Sequence, residues 1–142
     1  MKILVINGPN LNLLSSRDIN TYGNLSLEEI NNKMIKVYPE IEFQFFQSNS
    51  EGEIIDSIQK ASETFDALII NPGGYAHSSV AIKDALEICK IPKVEVHISN
   101  LSQRESFRQN LITASSCNGY ISGFRGDGYL AAIYLIKRIL SV

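Results

Sequence analysis

His97 is the first residue to weigh for chemistry. An imidazole titrates near pH 6.5, so it can give or take a proton under ordinary conditions. Glu95 stands two residues earlier, which on a strand puts both side chains on one face. A carboxylate there can hold the ring in one tautomer and favour its charged form. The alternative is a strand histidine with a purely structural role, and the spacing leaves both readings open. Tyr22 raises a different possibility. A phenol titrates near 10, so reaching phenolate at neutral pH costs roughly 4 kcal/mol without help. A guanidinium alongside reduces that cost, and Arg17 lies five residues away. A folded loop permits that contact without requiring it, and plain packing is the competing reading of Tyr22.

Further polar residues complete the inventory: Asn10, Asn71, His77, Ser99 and Arg108. His77 precedes a helix start, where it can cap the helix or orient a ligand. No cluster of carboxylates accompanies these residues, so no tightly bound divalent metal is expected. His77 and His97 with Glu95 or Asp84 lack the compact spacing of a zinc site. Ser78 follows His77, but no G-x-S-x-G elbow surrounds it. The glycine-rich run 123–128 lacks the Lys-Ser/Thr of a phosphate loop and reads better as the entry to a helix. What remains is acid–base chemistry without a cofactor.

Such side chains need a frame to bring them together. Five short runs rich in Val, Ile and Phe read as strands, at 3–7, 42–47, 67–71, 93–99 and 119–122. Helical patterns alternate with them. Ser26 and Glu29 form a capping box ahead of Leu27, Ile30, Met34 and Val37, and Pro39 ends that helix. A second helix starts at Ser50, with Ile54, Ile55, Ile58, Ala61 and Phe65 inward. Ser78 or Ser79 caps a third, with Val80, Ala81, Ala85, Leu86 and Ile88 inward. The last begins near 126–128 and turns Leu130, Ala131, Ile133, Tyr134, Ile136 and Leu140 to the core. Residues 104–115 read as a short helix and a turn. Strand–helix alternation implies parallel strands joined by right-handed crossovers. Five units predict an α/β, flavodoxin-like three-layer sandwich with sheet order 2-1-3-4-5.

In that fold ligands sit beyond the carboxyl ends of the strands, at the switch point beside strands one and three. The ends of strands one, three and four hold both histidines of the chain. Strand one runs into Asn7-Gly8-Pro9-Asn10 and then about fifteen residues precede the first helix. Connections this long are usually functional or disordered. Leu11, Leu13 and Leu14 argue that this one packs down, leaving its polar residues to face a ligand.

The 142 residues suit one domain, 1–142. At 44% hydrophobic, 20% charged and a net charge of −2, the chain is ordinary for a globular protein and shows no basic stripe for nucleic acid. No apolar run reaches membrane-spanning length. Strand one starts so early that no secretory signal is expected, and Cys89 and Cys117 match no metal or redox spacing. A cytoplasmic protein with reduced thiols is the reading.

The motifs taken together resemble type II 3-dehydroquinate dehydratases from end to end. They are Asn7-Gly8-Pro9-Asn10-Leu11-Asn12-Leu13-Leu14, Arg17, Tyr22-Gly23, Gln47-Ser48-Asn49, Glu51-Gly52-Glu53, Asn71-Pro72-Gly73, His77, Ser79-Val80-Ala81, Asp84-Ala85, Glu95-Val96-His97-Ile98-Ser99-Asn100, Arg104-Glu105 and Phe107-Arg108. The resemblance implies removal of water from 3-dehydroquinate by anti elimination through an enolate, in the shikimate pathway or in quinate catabolism. It implies no metal and no Schiff base. Tyr22 would take the C2 proton, with Arg17 holding the charge. His97, oriented by Glu95, would protonate the departing C1 hydroxyl. Asn10 would help hold a water against the enolate oxygen. The substrate carboxylate would rest on the N–H groups of Ile98 and Ser99, with Asn71 near the leaving hydroxyl and His77 and Arg108 on ring hydroxyls. Asp84 would reach into a neighbouring subunit's site, in a dodecamer built of trimers.

The sequence departs from the family's usual Gly, Glu and Pro at Ser15, Asp18 and Ile19, which bear on how a lid over the site bends. A phosphoacceptor receiver would need acids where Asn7 and Asn71 stand, and a flavin carrier would be yellow.

Overall fold

The computed structural model describes residues 1–142. Five parallel strands form one sheet in the order β2-β1-β3-β4-β5. They are β1 (Lys2–Asn7), β2 (Glu42–Gln47), β3 (Ala67–Asn71), β4 (Lys93–His97) and β5 (Gly119–Ser122). The predicted order and α/β class are observed. The helices are α1 (Ile19–Tyr22), α2 (Leu27–Val37), α3 (Glu51–Thr64), α4 (Val80–Ile88) and α5 (Asp127–Leu140).

Both faces of the sheet are covered, as parallel strands require. On one face Ile3, Val5, Ile69, Val94 and Val96 pack with Ile30, Met34, Tyr129, Ile133 and Ile136 of α2 and α5. On the other, Leu4, Ile6, Leu68 and Ile70 pack with Ile54, Ile58, Ile82 and Leu86 of α3 and α4. The alternation along β1 sends odd residues one way and even residues the other, the period of two that a strand imposes.

The helix starts follow local chemistry. Ser26 and Glu29 form the expected capping box, Ser50 caps α3, and Ser79 rather than Ser78 caps α4. The inward faces of α4 and α5 differ from the sequence reading. Ile82, Ala85 and Leu86 are buried on α4, whereas Ala81, Val80 and Ile88 face out, the last 68% exposed. On α5 Tyr129 is fully buried and Tyr134 is 57% exposed, and Ala131 is exposed too. α5 is apolar nearly all round and α4 is apolar everywhere but at Lys83, Asp84 and Glu87, so spacing alone does not fix which stripe faces the sheet. Val37 of α2 is likewise exposed at the last turn. The segment read as a helix and turn contains the short 3-10 turns Ser106–Gln109 and Thr113–Ser116.

The switch point is closed backbone to backbone. The Gly8 N–H donates to the Asn71 carbonyl at 2.8 Å. A Cβ on Gly8 would stand 2.4 Å from the Pro72 carbonyl oxygen, so only glycine fits. Beneath, the Tyr129 hydroxyl donates to Asn7 Oδ1 and accepts from Asn71 Nδ2, at 2.5 and 3.1 Å. Asn7 and Asn71 are register partners, so one phenol ties the carboxyl ends of β1 and β3. Burial pushes its pKa well above the usual phenol value.

Candidate active site

The connection from β1 to α2 folds as a 3-10 turn, Leu11–Ser16, followed by the single turn of α1. Leu11 and Leu14 are buried and anchor it, while Leu13 is exposed. Asp18 caps α1: its carboxylate accepts from the Asn20 N–H at 3.3 Å and the Thr21 hydroxyl at 2.6 Å. The Thr21 bond leads in holding the Asp18 carboxyl below its usual pKa. The turn of helix folds the five-residue interval between Arg17 and Tyr22 back on itself. Arg17 Nη2 donates to the Tyr22 hydroxyl at 2.5 Å, and its guanidinium lies 3.8 Å from the ring centroid. Contact between the two, which spacing left open, is made within one short segment.

β4 supplies the second pair. His97 Nε2 donates to Glu95 Oε2 at 2.7 Å, with both side chains buried. The other ring nitrogen, Nδ1, bonds to nothing in the chain and is left for a ligand. Just beyond the strand, the N–H groups of Ile98 and Ser99 find no backbone or side-chain acceptor. Two successive free N–H groups of this kind make an anion cradle.

Around them lies a pocket lined by Arg17, Tyr22, Asn71, His77, His97, Ile98, Ser99, Arg104 and Arg108 with Leu11, Leu101, Gly73 and Gly74. His77, at the end of the turn Gly73–His77, stacks over His97 with ring centroids 6.1 Å apart. Its Nδ1 donates to the Asn110 carbonyl at 3.0 Å, leaving Nε2 free. Burial, with the His97 and Arg108 charges adding to it, pushes the His77 pKa below the ordinary value. Arg108 bonds Glu105 at 2.5 Å.

Three predicted residues sit differently from the rest. Asn71 lines the pocket, but its oxygen accepts from the Gly73 N–H and one amide hydrogen goes to Tyr129, so a single hydrogen remains to offer. Asn10 is exposed in the left-handed conformation, φ 69°, with its N–H on Asn49, and it is not among the pocket residues. Asp84 is exposed on α4 and lies outside this chain's own pocket. Arg104 is the residue that spacing alone did not single out. It donates to Ser99 Oγ at 2.8 Å, and its guanidinium stands 5.3 Å from the Tyr22 ring centroid. No group of three His, Cys, Asp or Glu side chains is placed to hold a metal ion.

A doubly wound 2-1-3-4-5 sheet with an Arg-bonded Tyr22 and a Glu-bonded His97 lining one pocket defines a flavodoxin-like α/β protein with a phenol and an imidazole together at its switch point. Comparison with known proteins narrows the class. A model of the class II dehydroquinase family matches residues 1–137. The chain is 53% identical to a 3-dehydroquinate dehydratase of Thermotoga petrophila, covering 99% of this chain and 97% of the relative. The type II dehydroquinase of Butyrivibrio crossotus superposes with a TM-score of 0.93 at 48% identity, over 96% of this chain and 97% of that one. That of Propionibacterium acnes gives 0.89 at 34% identity, over 96% of each. The chain belongs to the class II dehydroquinase family.

Proposed function

We propose that this protein is a 3-dehydroquinate dehydratase, a hydro-lyase working in one domain, 1–142, without a metal or other cofactor. The observation that carries the reading is that a guanidinium-bonded phenol and a carboxylate-bonded imidazole line the same pocket. The family relationship supports it.

The substrate carboxylate rests on the N–H groups of Ile98 and Ser99. Tyr22, as phenolate, removes the C2 proton, and the C2–H electron pair moves to give an enolate at the neighbouring carbonyl. Arg17, already bonded to the phenol oxygen, holds the negative charge before the transfer. Asn10, next to the pocket residue Leu11, holds a water against the enolate oxygen. The enolate then collapses, the C1–O bond breaks, and His97 gives its Nδ1 proton to the departing hydroxyl, which leaves as water. Glu95 keeps the ring oriented and stabilises the imidazolium. Asn71 lies near that hydroxyl, and His77 and Arg108 bind ring hydroxyls. The product is 3-dehydroshikimate, and a proton passing from Tyr22 back to His97 resets the site.

We further propose a cytoplasmic dodecamer built of trimers, with Asp84 entering a neighbour's pocket, serving the shikimate route or quinate breakdown. No helix of the chain is long and apolar enough to cross a membrane.

The test is absorbance growth at the enone band when protein is mixed with 3-dehydroquinate. Activity retained in EDTA and lost in Tyr22→Phe supports the reading. Loss on chelation, or full activity in Tyr22→Phe, removes it.

A further inference from the structure

Glu95 is fully buried, and a buried carboxylate must have both oxygens satisfied. One oxygen takes the His97 N–H. The other, Oε1, accepts from the Thr113 hydroxyl, which is itself fully buried. Thr113 lies in none of the strand ends that point to the pocket, and it does not line the pocket. It opens the short turn Thr113–Ser116, which packs against α4.

That turn is held by the rest of the site. The Ile112 N–H, one residue earlier, donates to the Ala76 carbonyl at 2.8 Å, next to His77. Two residues before that, the Asn110 carbonyl accepts from His77. Residues 110–113 therefore fix one imidazole through a carbonyl and the other through a hydroxyl and a carboxylate.

We infer that Thr113 is a positioning residue for the proposed reaction: its hydroxyl locks the Glu95 carboxylate in the rotamer that holds His97 with Nδ1 toward the pocket. The inference rests on the acid role assigned to His97. Without the hydroxyl, Oε1 is left buried and unpaired, and the carboxylate rotates or draws in water to find a donor. Either response loosens the grip on Nε2. Other charged or titratable groups near Glu95 do not replace the hydroxyl. Lys93, on the same strand face, spends its ammonium on the Cys89 and Ile91 carbonyls at 2.6 and 3.2 Å. Cys117, with its pKa pushed up to about 12 by burial and then by the Glu95 charge, stays a thiol whose only hydrogen-bond partner is the Thr113 carbonyl. His77 and Arg108 lie on the pocket side, bonded to Asn110 and Glu105.

The experiment compares Thr113→Val, Thr113→Ser and Glu95→Gln. Thr113→Val keeps the side-chain shape and removes the hydroxyl. Its kcat should fall roughly 10- to 100-fold, the size typical of losing an orienting partner behind a functional imidazole, with KM little changed. Thr113→Ser, which keeps the hydroxyl, should recover most of the loss. Added to Glu95→Gln, Thr113→Val should have almost no further effect, because both act through one contact. The ¹⁵N resonances of His97 should show a changed tautomer balance in Thr113→Val, a readout independent of any substrate. If Thr113→Val is too unstable to assay, Thr113→Ser decides: a deep loss of kcat there means that the methyl, not the hydroxyl, matters, and overturns the inference. Wild-type kcat and unchanged His97 resonances in Thr113→Val overturn it as well. A wild-type protein inert toward 3-dehydroquinate would instead defeat the functional proposal, and the His97 resonances would still test the contact.

Discussion

Charge management at single residues sets the chemistry. Tyr22→Phe removes the proposed base while keeping the ring under Arg17, so kcat should drop roughly 100- to 10,000-fold with the fold intact, as paired kinetics and circular dichroism would show. His77 makes a separate, pH-dependent prediction. Its folded pKa lies below its ordinary value of 6.5, so the unfolded chain takes up the proton first. Stability is then full above about pH 6.5 and declines as the pH falls below it. Melting temperatures of wild type should fall from pH 7 toward pH 5, and His77→Gln should flatten that slope. Spacing left the roles of His97 and Tyr22 open, but the meeting of both histidines and Tyr22 at one pocket was legible, because their segments follow strand ends predicted to lie together. Arg104 and Thr113 were not. Nothing in the spacing of Arg104 from Tyr22, or of Thr113 from Glu95, signals contact, because separate turns bring each pair together.

Among the elements, strands were easier to read than helix faces. Runs of Val, Ile and Phe bounded by Asn, Pro and Gly have few alternatives, and β2, β3 and β5 start and stop where the sequence predicts. β4 ends two residues before the predicted limit, and those two residues, Ile98 and Ser99, carry the free N–H groups. Where a helix is apolar on several sides, as in α4 and α5, the buried stripe depends on what the sheet presents, which no local pattern records. The 3-10 turns around the pocket are too short to have a period. Caps were legible, and one has a testable weight. Ser79 Oγ accepts from the Ile82 N–H at 3.0 Å and donates to Glu51 on α3 at 2.6 Å. Ser79→Ala should cost about 1 to 2 kcal/mol in urea unfolding, because it removes a cap and a bond between helices together.

For the molecule as a whole, the joint between β1 and β3 matters most. Tyr129→Phe deletes the hydroxyl shared by Asn7 and Asn71 and should cost about 1 to 3 kcal/mol, measured by chemical denaturation. Gly8→Ala should be worse, since its methyl meets the Pro72 backbone and nothing flexible can yield. Expression of folded Gly8→Ala with unchanged melting would contradict that packing. Arg17 and Tyr22, meanwhile, sit at the two ends of a segment that contains only Asp18 and the one turn of α1. If that segment swings away to admit substrate, the cation and the phenol ride on the same hinge arm and keep their partnership throughout the stroke. Opening the mouth of the pocket then changes what the pair faces and leaves the pair itself intact, so a substrate meets the proposed base already joined to its cation.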